Sequence, residues 1–239
     1  MTAVPDVLRR LKRKARAANL RGMAKFGITI DGRLGVSVPD MRRIAKEIGR
    51  DHGLALDLWK TAVAEARQVA AMIDDPRKVT EKQMEIWVAD FESWDLCDGV
   101  CLNLFEKTPF VRRKIREWAA RDEEFVKRAA FALIACLAWH DKTAPDETFL
   151  AFFPLLERAS RDERNFVKKA VNWGGGPLRN IGKRNPNLNR SAIGLARDLQ
   201  RSDSRSARWI AADAIRELES GAVRKRLRDR TRRNPRNPR

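Results

Sequence analysis

The chain contains no tyrosine, only three cysteines and only two histidines in 239 residues. Without tyrosine, no phenolic hydroxyl is available to any site. Three is an odd number of cysteines, and the N-terminus "MTAVPDVLRRLKRKARAANL" lacks the apolar segment of a signal peptide, so a disulfide framework is not expected. A structural zinc site needs about four Cys or His ligands. Cys97 and Cys101 lie four residues apart, but no second pair follows, and Cys136, His52 and His140 are scattered. The sequence therefore points to no metal and no small-molecule cofactor, and to cysteines that act as small core residues. No run approaches the roughly 18 apolar residues of a membrane span. The basic, amphipathic N-terminus has the character of a transit peptide, but a first helix of the fold accounts for it without an import step. The expected location is the cytoplasm, and the expected state is a monomer.

What the sequence has in excess is positive charge. The net charge is +18 and the sequence pI about 10.7, the electrostatic footprint of a polyanion binder. The charge is uneven. Residues 221–239, "GAVRKRLRDRTRRNPRNPR", hold eight Arg, one Lys and one Asp, a net +8. This tail reads as a helical start running into a partly disordered basic arm, serving either a partner or solubility alone. Residues 1–220 read as a single domain, and at 43% hydrophobic residues the chain can build a real core.

Nearly all of that domain has helical periodicity. Helices are expected over 4–20, 39–51, 54–73, 80–90, 93–106, 109–120, 122–139, 146–159, 163–173, 188–200 and 204–219. Thr80 begins T-E-K-Q, a capping box, and Pro39 and Pro109 suit first helical turns. "GITIDGRLGVSVPD" is the only candidate extended piece and reads better as a loop leading to a helix cap. "FVKRAA" at Phe125 and "FVKKAV" at Phe166 echo each other at an offset of 41, within the period range of HEAT and armadillo repeats. The expected fold class is all-α, with HEAT-like helical repeats stacked into a curved α-solenoid that has a concave basic face.

Three residues sit oddly on their helices. In "SWDLCDGVCLNLF", stepping about 100° per residue puts Phe105, Cys101, Cys97, Leu102 and Leu104 near Trp94, and Asp98 inside this apolar stripe. A carboxylate there costs free energy unless something needs it. It either caps or pairs with a neighbouring element, or does chemistry. On "RDEEFVKRAAFALIACLAWH", Arg128 shares a face with Phe125, Phe131, Ala132, Ala135, Cys136 and Trp139. It serves either a structural ion pair or a phosphate, which the guanidinium fork suits. In "NFVKKAVNWGGGP", Trp173 shares a face with Phe166 and Ala170 at the end of a helix carrying Lys168 and Lys169. It is either a core aromatic or part of a nucleic-acid surface.

The order Trp-x-x-x-Asp, K-R-A-A and V-K-K-A-V-N-W in a basic helical chain resembles the AlkD family of bacterial DNA alkylation-repair glycosylases. "GMAKFGI", "GVSVPDMRRIAKEIG", "EARQVAAMI", "SWDLCD" and "IGKRNPNL" extend the resemblance over most of residues 20–200. The resemblance implies a HEAT-like fold and excision of cationic N3- and N7-alkylated purines from duplex DNA, with neither metal nor base flipping. It implies that Trp94 and Trp173 hold the sugar, that Asp98 is the catalytic carboxylate, and that Arg128 engages the DNA backbone. Lys127, Lys168, Lys169 and Phe26 are further expected DNA contacts of this chain. Two departures stand out. "NWGGGPLRN" replaces a continuous helix after the second tryptophan, so the helix should break there, since Gly costs about 1 and Pro about 3 kcal/mol in a helix interior. Phe26 stands near where the family tends to carry a tyrosine. A non-catalytic HEAT-like protein that binds damaged or branched DNA is the alternative, and a protein-interaction solenoid the third reading.

Overall fold

The computed structural model describes residues 2–172 and 176–233. The expectations placed on Trp173 and on residues 234–239 lie outside the described residues. The chain divides into two compact units, Met1–Arg112 and Arg113–Arg239. Among the described residues all regular structure is helical and no strand occurs.

The first unit contains α1 (Val4–Arg13), α2 (Ala17–Lys25), α3 (Val38–Ile48), α4 (His52–Trp59), α5 (Ala64–Ile73), α6 (Glu81–Ala89) and α7 (Trp94–Asn103), followed by a 3-10 turn, Phe105–Lys107. Its axis is α5, which packs against α1, α3, α4 and α7. Ala64, Ala66, Val69, Ala70, Ala71 and Ile73 are buried, and so are Glu65 and Gln68. The helix is buried on most of its faces, and its alanines let four neighbours approach closely. The stretch 54–73 is two helices rather than one. The chain turns at Thr61–Ala62, where the Thr61 hydroxyl donates to the Leu58 carbonyl at 2.7 Å and Ala62 takes φ 57. No glycine or proline marks this break, which is why periodicity runs through it.

The loop before α3 behaves as expected. Ser37 caps α3 by accepting from the Asp40 N–H, and Pro39 lies in the first turn. Thr80 caps α6 by accepting from the Gln83 N–H at 3.1 Å. The other half of the capping box is diverted, because the Gln83 amide donates to Asp74, fully buried, at 2.6 Å. Pro109 precedes α8 (Val111–Ala119) by two residues instead of lying in its first turn.

The second unit continues with α9 (Glu124–His140), α10 (Asp146–Leu150), α11 (Phe153–Ser160), α12 (Asn165–Asn172), α13 (Pro177–Gly182), α14 (Pro186–Gln200), α15 (Arg205–Leu218) and α16 (Gly221–Arg233). Here the sequence echo has a structural counterpart. The Glu124 carboxylate accepts from the Phe166 N–H at the start of α12 at 3.1 Å. The Glu163 carboxylate accepts from the Ser206 N–H at the start of α15 at 3.0 Å. Each carboxylate caps a helix roughly forty residues downstream, satisfying N–H groups that a helix start leaves open. The Phe125 and Phe166 rings meet at 5.2 Å. The expected break after Trp173 falls outside the described residues; α12 is described to Asn172, and a separate helix, α13, begins at Pro177, which periodicity missed because it is only six residues long. Gly176 is required there. A Cβ would lie 2.7 Å from the Asn172 carbonyl carbon, so the chain folds back against the end of α12 with no room for a side chain. The basic tail starts as a helix, α16, with Val223 and Leu227 buried.

Candidate nucleic-acid interface

In the first unit, α7 carries Trp94 and Asp98 one turn apart, as the spacing requires. Their place on the helix differs from the sequence expectation. The buried face of α7 is Leu96, Cys97, Val100 and Cys101, continued by Leu104 and Phe105. Trp94, Asp98 and Leu102 are half-buried at the flank of that face. The helix ends at Asn103 and Phe105 lies in the 3-10 turn, so 100° stepping from Trp94 to Phe105 displaced the stripe. Asp98 is a carboxylate on the rim of the core rather than within it, which lowers its desolvation cost.

Trp94 is fixed by a long-range bond. Its indole N–H donates to the Phe26 carbonyl at 3.0 Å. The "GMAKFGI" segment explains why that carbonyl is on offer. α2 ends in a Schellman motif, with the Gly27 N–H bonded to the Ala24 carbonyl and the Ile28 N–H to the Met23 carbonyl, and Gly27 at φ 72. Phe26 is the residue just before the glycine. Its carbonyl orients Trp94, and its ring is 72% exposed. The structure thus brings together two sequence-predicted residues 68 positions apart.

Behind this rim lies a polar set that sequence reasoning missed. Arg33, its side chain 2% exposed, donates to both Asp95 oxygens at 2.7 and 3.1 Å and to the Ser93 hydroxyl at 2.6 Å. Ser93 is therefore not spent on capping α7. Gln68 on α5 donates to the Asp95 carbonyl at 2.7 Å. Glu65 accepts from the Leu34 and Gly35 N–H groups at 2.9 and 2.8 Å. Gly99 lets α5 and α7 close: a Cβ there would lie 2.2 Å from the Gln68 Oε1. So Asp95, the other carboxylate on α7, is held by Arg33, and the start of the helix is locked from three directions. The signal was present in "DGRLG" and "EARQ", but only as charged and polar residues in a loop and on a helix.

In the second unit the expected DNA contacts separate into two kinds. Arg128 is 3% exposed and donates to the Phe166 carbonyl at 2.8 Å. Its inward position was foreseen, and the bond ties α9 to α12. Lys127, its side chain 16% exposed, lies 3.8 Å from Asp122 and 3.7 Å from Asp162. Both cations are engaged within the protein. Lys168 is half-buried and Lys169 exposed on α12. Asn172, the last residue of α12, is 2% exposed and donates to Asp213 on α15 at 2.7 Å. Its carbonyl accepts from Arg179, which also pairs with Glu217 at 2.9 Å. Nothing in the spacing of "KKAVNW" marks this asparagine as a structural anchor.

Several carboxylates of this unit are held below their ordinary range. Glu163 is lowered by the Ser206 N–H and the Ser204 hydroxyl. Asp162 is lowered by hydrogen bonds from Arg164, and Glu123 is lowered to about 2 by Arg121. Cys97, Cys101 and Cys136 are packed in the core. Among the described residues no cluster of three His, Cys, Asp or Glu side chains is placed to hold a metal. No helix among them is long and apolar enough to cross a membrane.

Comparison with known proteins bears on the family and the fold. A search of curated protein sequences found no match. One solved structure superposes with a TM-score of 0.74, covering 95% of this chain and 96% of its own, at 18% identity. It is described as belonging to a new family of proteins related to the HEAT-like repeat DNA glycosylases with affinity for branched DNA structures. At that identity the likeness establishes the fold, which is all-α and HEAT-like. The family model of the DNA alkylation repair enzymes matches residues 7–218, well over half of the chain. The protein belongs to the DNA alkylation repair enzyme family.

Proposed function

We propose that the protein is a DNA glycosylase that hydrolyses the N-glycosidic bond of cationic N3- and N7-alkylated purines in duplex DNA, with Asp98 as its catalytic carboxylate. The observation that carries this reading is the state of α7. Its other carboxylate, Asp95, is held by Arg33, while Asp98 lies half-buried at the rim, one turn from an indole whose orientation is fixed by the Phe26 carbonyl. That is a carboxylate one helical turn from a flat apolar surface.

The chemistry needs little else. The alkylated purine already carries a positive charge. When the bond from C1′ to the base nitrogen breaks, its electron pair moves to the purine, which leaves neutral, and positive charge develops on the deoxyribose. The Asp98 carboxylate stabilises that charge and orients a water that adds to C1′ and loses a proton. A strong general acid is not required. Trp94 packs against the sugar and excludes water, which strengthens the field of the carboxylate. Phosphate contacts fall to Lys168 and Lys169, since Lys127 and Arg128 are engaged in packing.

A second reading is favoured by one observation: the superposed structure is described by its affinity for branched DNA. On that reading the protein binds damaged or branched DNA without releasing a base. Single-turnover release of 3-methyladenine and 7-methylguanine from methylated duplex DNA separates the two. Release by the parent, with a loss of about 10²-fold or more in Asp98→Asn and DNA binding retained, supports the glycosylase. Absence of release by the parent, with salt-sensitive DNA binding, establishes the second reading instead.

A further inference from the structure

The C-terminal end of α9 and the basic helix α16 form a second concentration of cations, apart from the residues considered above and extending beyond the family match, which ends at residue 218. Lys142 donates to the Trp139 carbonyl. Arg184 donates to the Ala138 carbonyl at 2.9 Å and lies 4.0 Å from the centroid of the Phe149 ring. Its Nε is buried without a hydrogen-bond partner. Arg230, on α16, donates to the Lys183 and Arg184 carbonyls at 3.1 and 3.0 Å. Burial, then the cations Arg230, Arg184 and Arg226, push the Lys142 ammonium below its ordinary range, and burial does the same to Arg184 and Arg230. Four cations from three segments are crowded together. The carboxylates nearby are Asp141 and Asp146, which face Arg184. Asp141 caps the turn by accepting from the Thr143 and Ala144 N–H groups, and Asp146 accepts from Asn185.

Beside this cluster stands an aromatic surface. Trp139 is 58% exposed, although the periodicity of α9 placed it on an apolar face, and its ring stacks on His140 at 4.8 Å. Burying an indole is ordinarily favourable by more than one kcal/mol, so an exposed one beside like charges held together suits a ligand with both flat apolar rings and anions. Single-stranded nucleic acid has this chemistry: bases stack on the aromatic, and phosphates lie against the cations.

We propose that Trp139, Lys142, Arg226 and Arg230 form a second DNA-binding site that takes an unpaired stretch of DNA, with a base stacked on Trp139 and the backbone along α16. The site is independent of base release, so its test is a binding measurement on the full chain.

The experiment titrates labelled single-stranded DNA and fully paired duplex with the parent, Trp139→Ala, Trp139→Phe and Lys142→Gln/Arg226→Gln, across salt concentrations. The replaced side chains are exposed, and thermal unfolding checks that each variant keeps the parent midpoint. Trp139→Ala is expected to weaken single-strand binding by about tenfold, with little change for duplex, and Trp139→Phe to restore most of it. Lys142→Gln/Arg226→Gln is expected to reduce the salt slope by about one to two phosphate contacts. Single-strand affinity within twofold of the parent in Trp139→Ala, or an unchanged salt slope in the double variant, overturns the proposal. Base release at Asp98 is read on the same proteins, so loss of one activity is distinguished from loss of the other.

Discussion

The two units join helices by different means. In the second, one device recurs: Glu124 caps α12 and Glu163 caps α15, each by accepting from a backbone N–H of a helix about one repeat downstream. In the first, α5 and α7 are joined by a polar set used once: Arg33 on Asp95 and Ser93, Gln68 on the Asp95 carbonyl, and Glu65 on the Leu34–Gly35 backbone. The recurring device holds repeats together. The single one holds the helix that carries the candidate catalytic carboxylate. Regular packing needs only a capped helix start, whereas a side chain that must stay in one place needs its helix fixed along several directions.

The largest effect that sharpens this contrast is chemical. Asp98→Asn is expected to reduce base release by about 10²-fold or more with DNA binding retained. Asp95→Asn is expected to lose stability first. A matched loss of release in both variants, at equal stability, would erase the distinction between them.

Next in size is Arg33→Ala. It leaves Asp95 and Ser93 without a buried partner, and removing one member of a buried pair costs about 3 kcal/mol or more. Urea unfolding followed by circular dichroism reads this directly. Gly99→Ala tests the same region by volume: its Cβ meets Gln68 at 2.2 Å, and the overpacking is expected to cost about 1–3 kcal/mol. An alanine tolerated without loss would mean that α5 and α7 are not tightly locked.

In the second unit Glu124→Ala removes one cap and is expected to cost about 1 kcal/mol. Hydrogen exchange at the start of α12 should rise while the centre of α9 stays protected.

The smallest effect is that of acid. Glu163 and Asp162 are held below their ordinary range, and Asp75 and Glu123 fall to about 2. A depressed folded-state value means that the stabilisation is fully present above the unfolded value near 4 and fades as pH falls through the folded one. Stability should therefore decline between about pH 4 and pH 2. Glu123 and Glu163 are exposed to solvent, so the decline should be shallow and should shrink as salt is added.

Much of this was legible in advance. The capping residues Ser37 and Thr80 and the Phe125/Phe166 echo follow from local rules: a hydroxyl at a helix start and a period. What misled the reading was periodicity carried past a helix end. It ran through Thr61–Ala62, where no special residue marks the turn, and from α7 into the 3-10 turn at Phe105, which moved Asp98 from the flank of the core into its middle. It also buried Trp139, which the structure leaves exposed at the last turn of α9.

The sequence by itself determined the helical class, the excess of positive charge, the family and the pairing of Trp94 with Asp98 across one turn, because all of these rest on spacing or composition. Only the tertiary structure decided which charges are spent. Arg33 meets Asp95 across 62 positions, Arg128 meets the Phe166 carbonyl across 38, and Phe26 orients Trp94 across 68. A helix fixes the angle between its own side chains. What each side chain then faces is set by the packing of helices that the sequence keeps far apart.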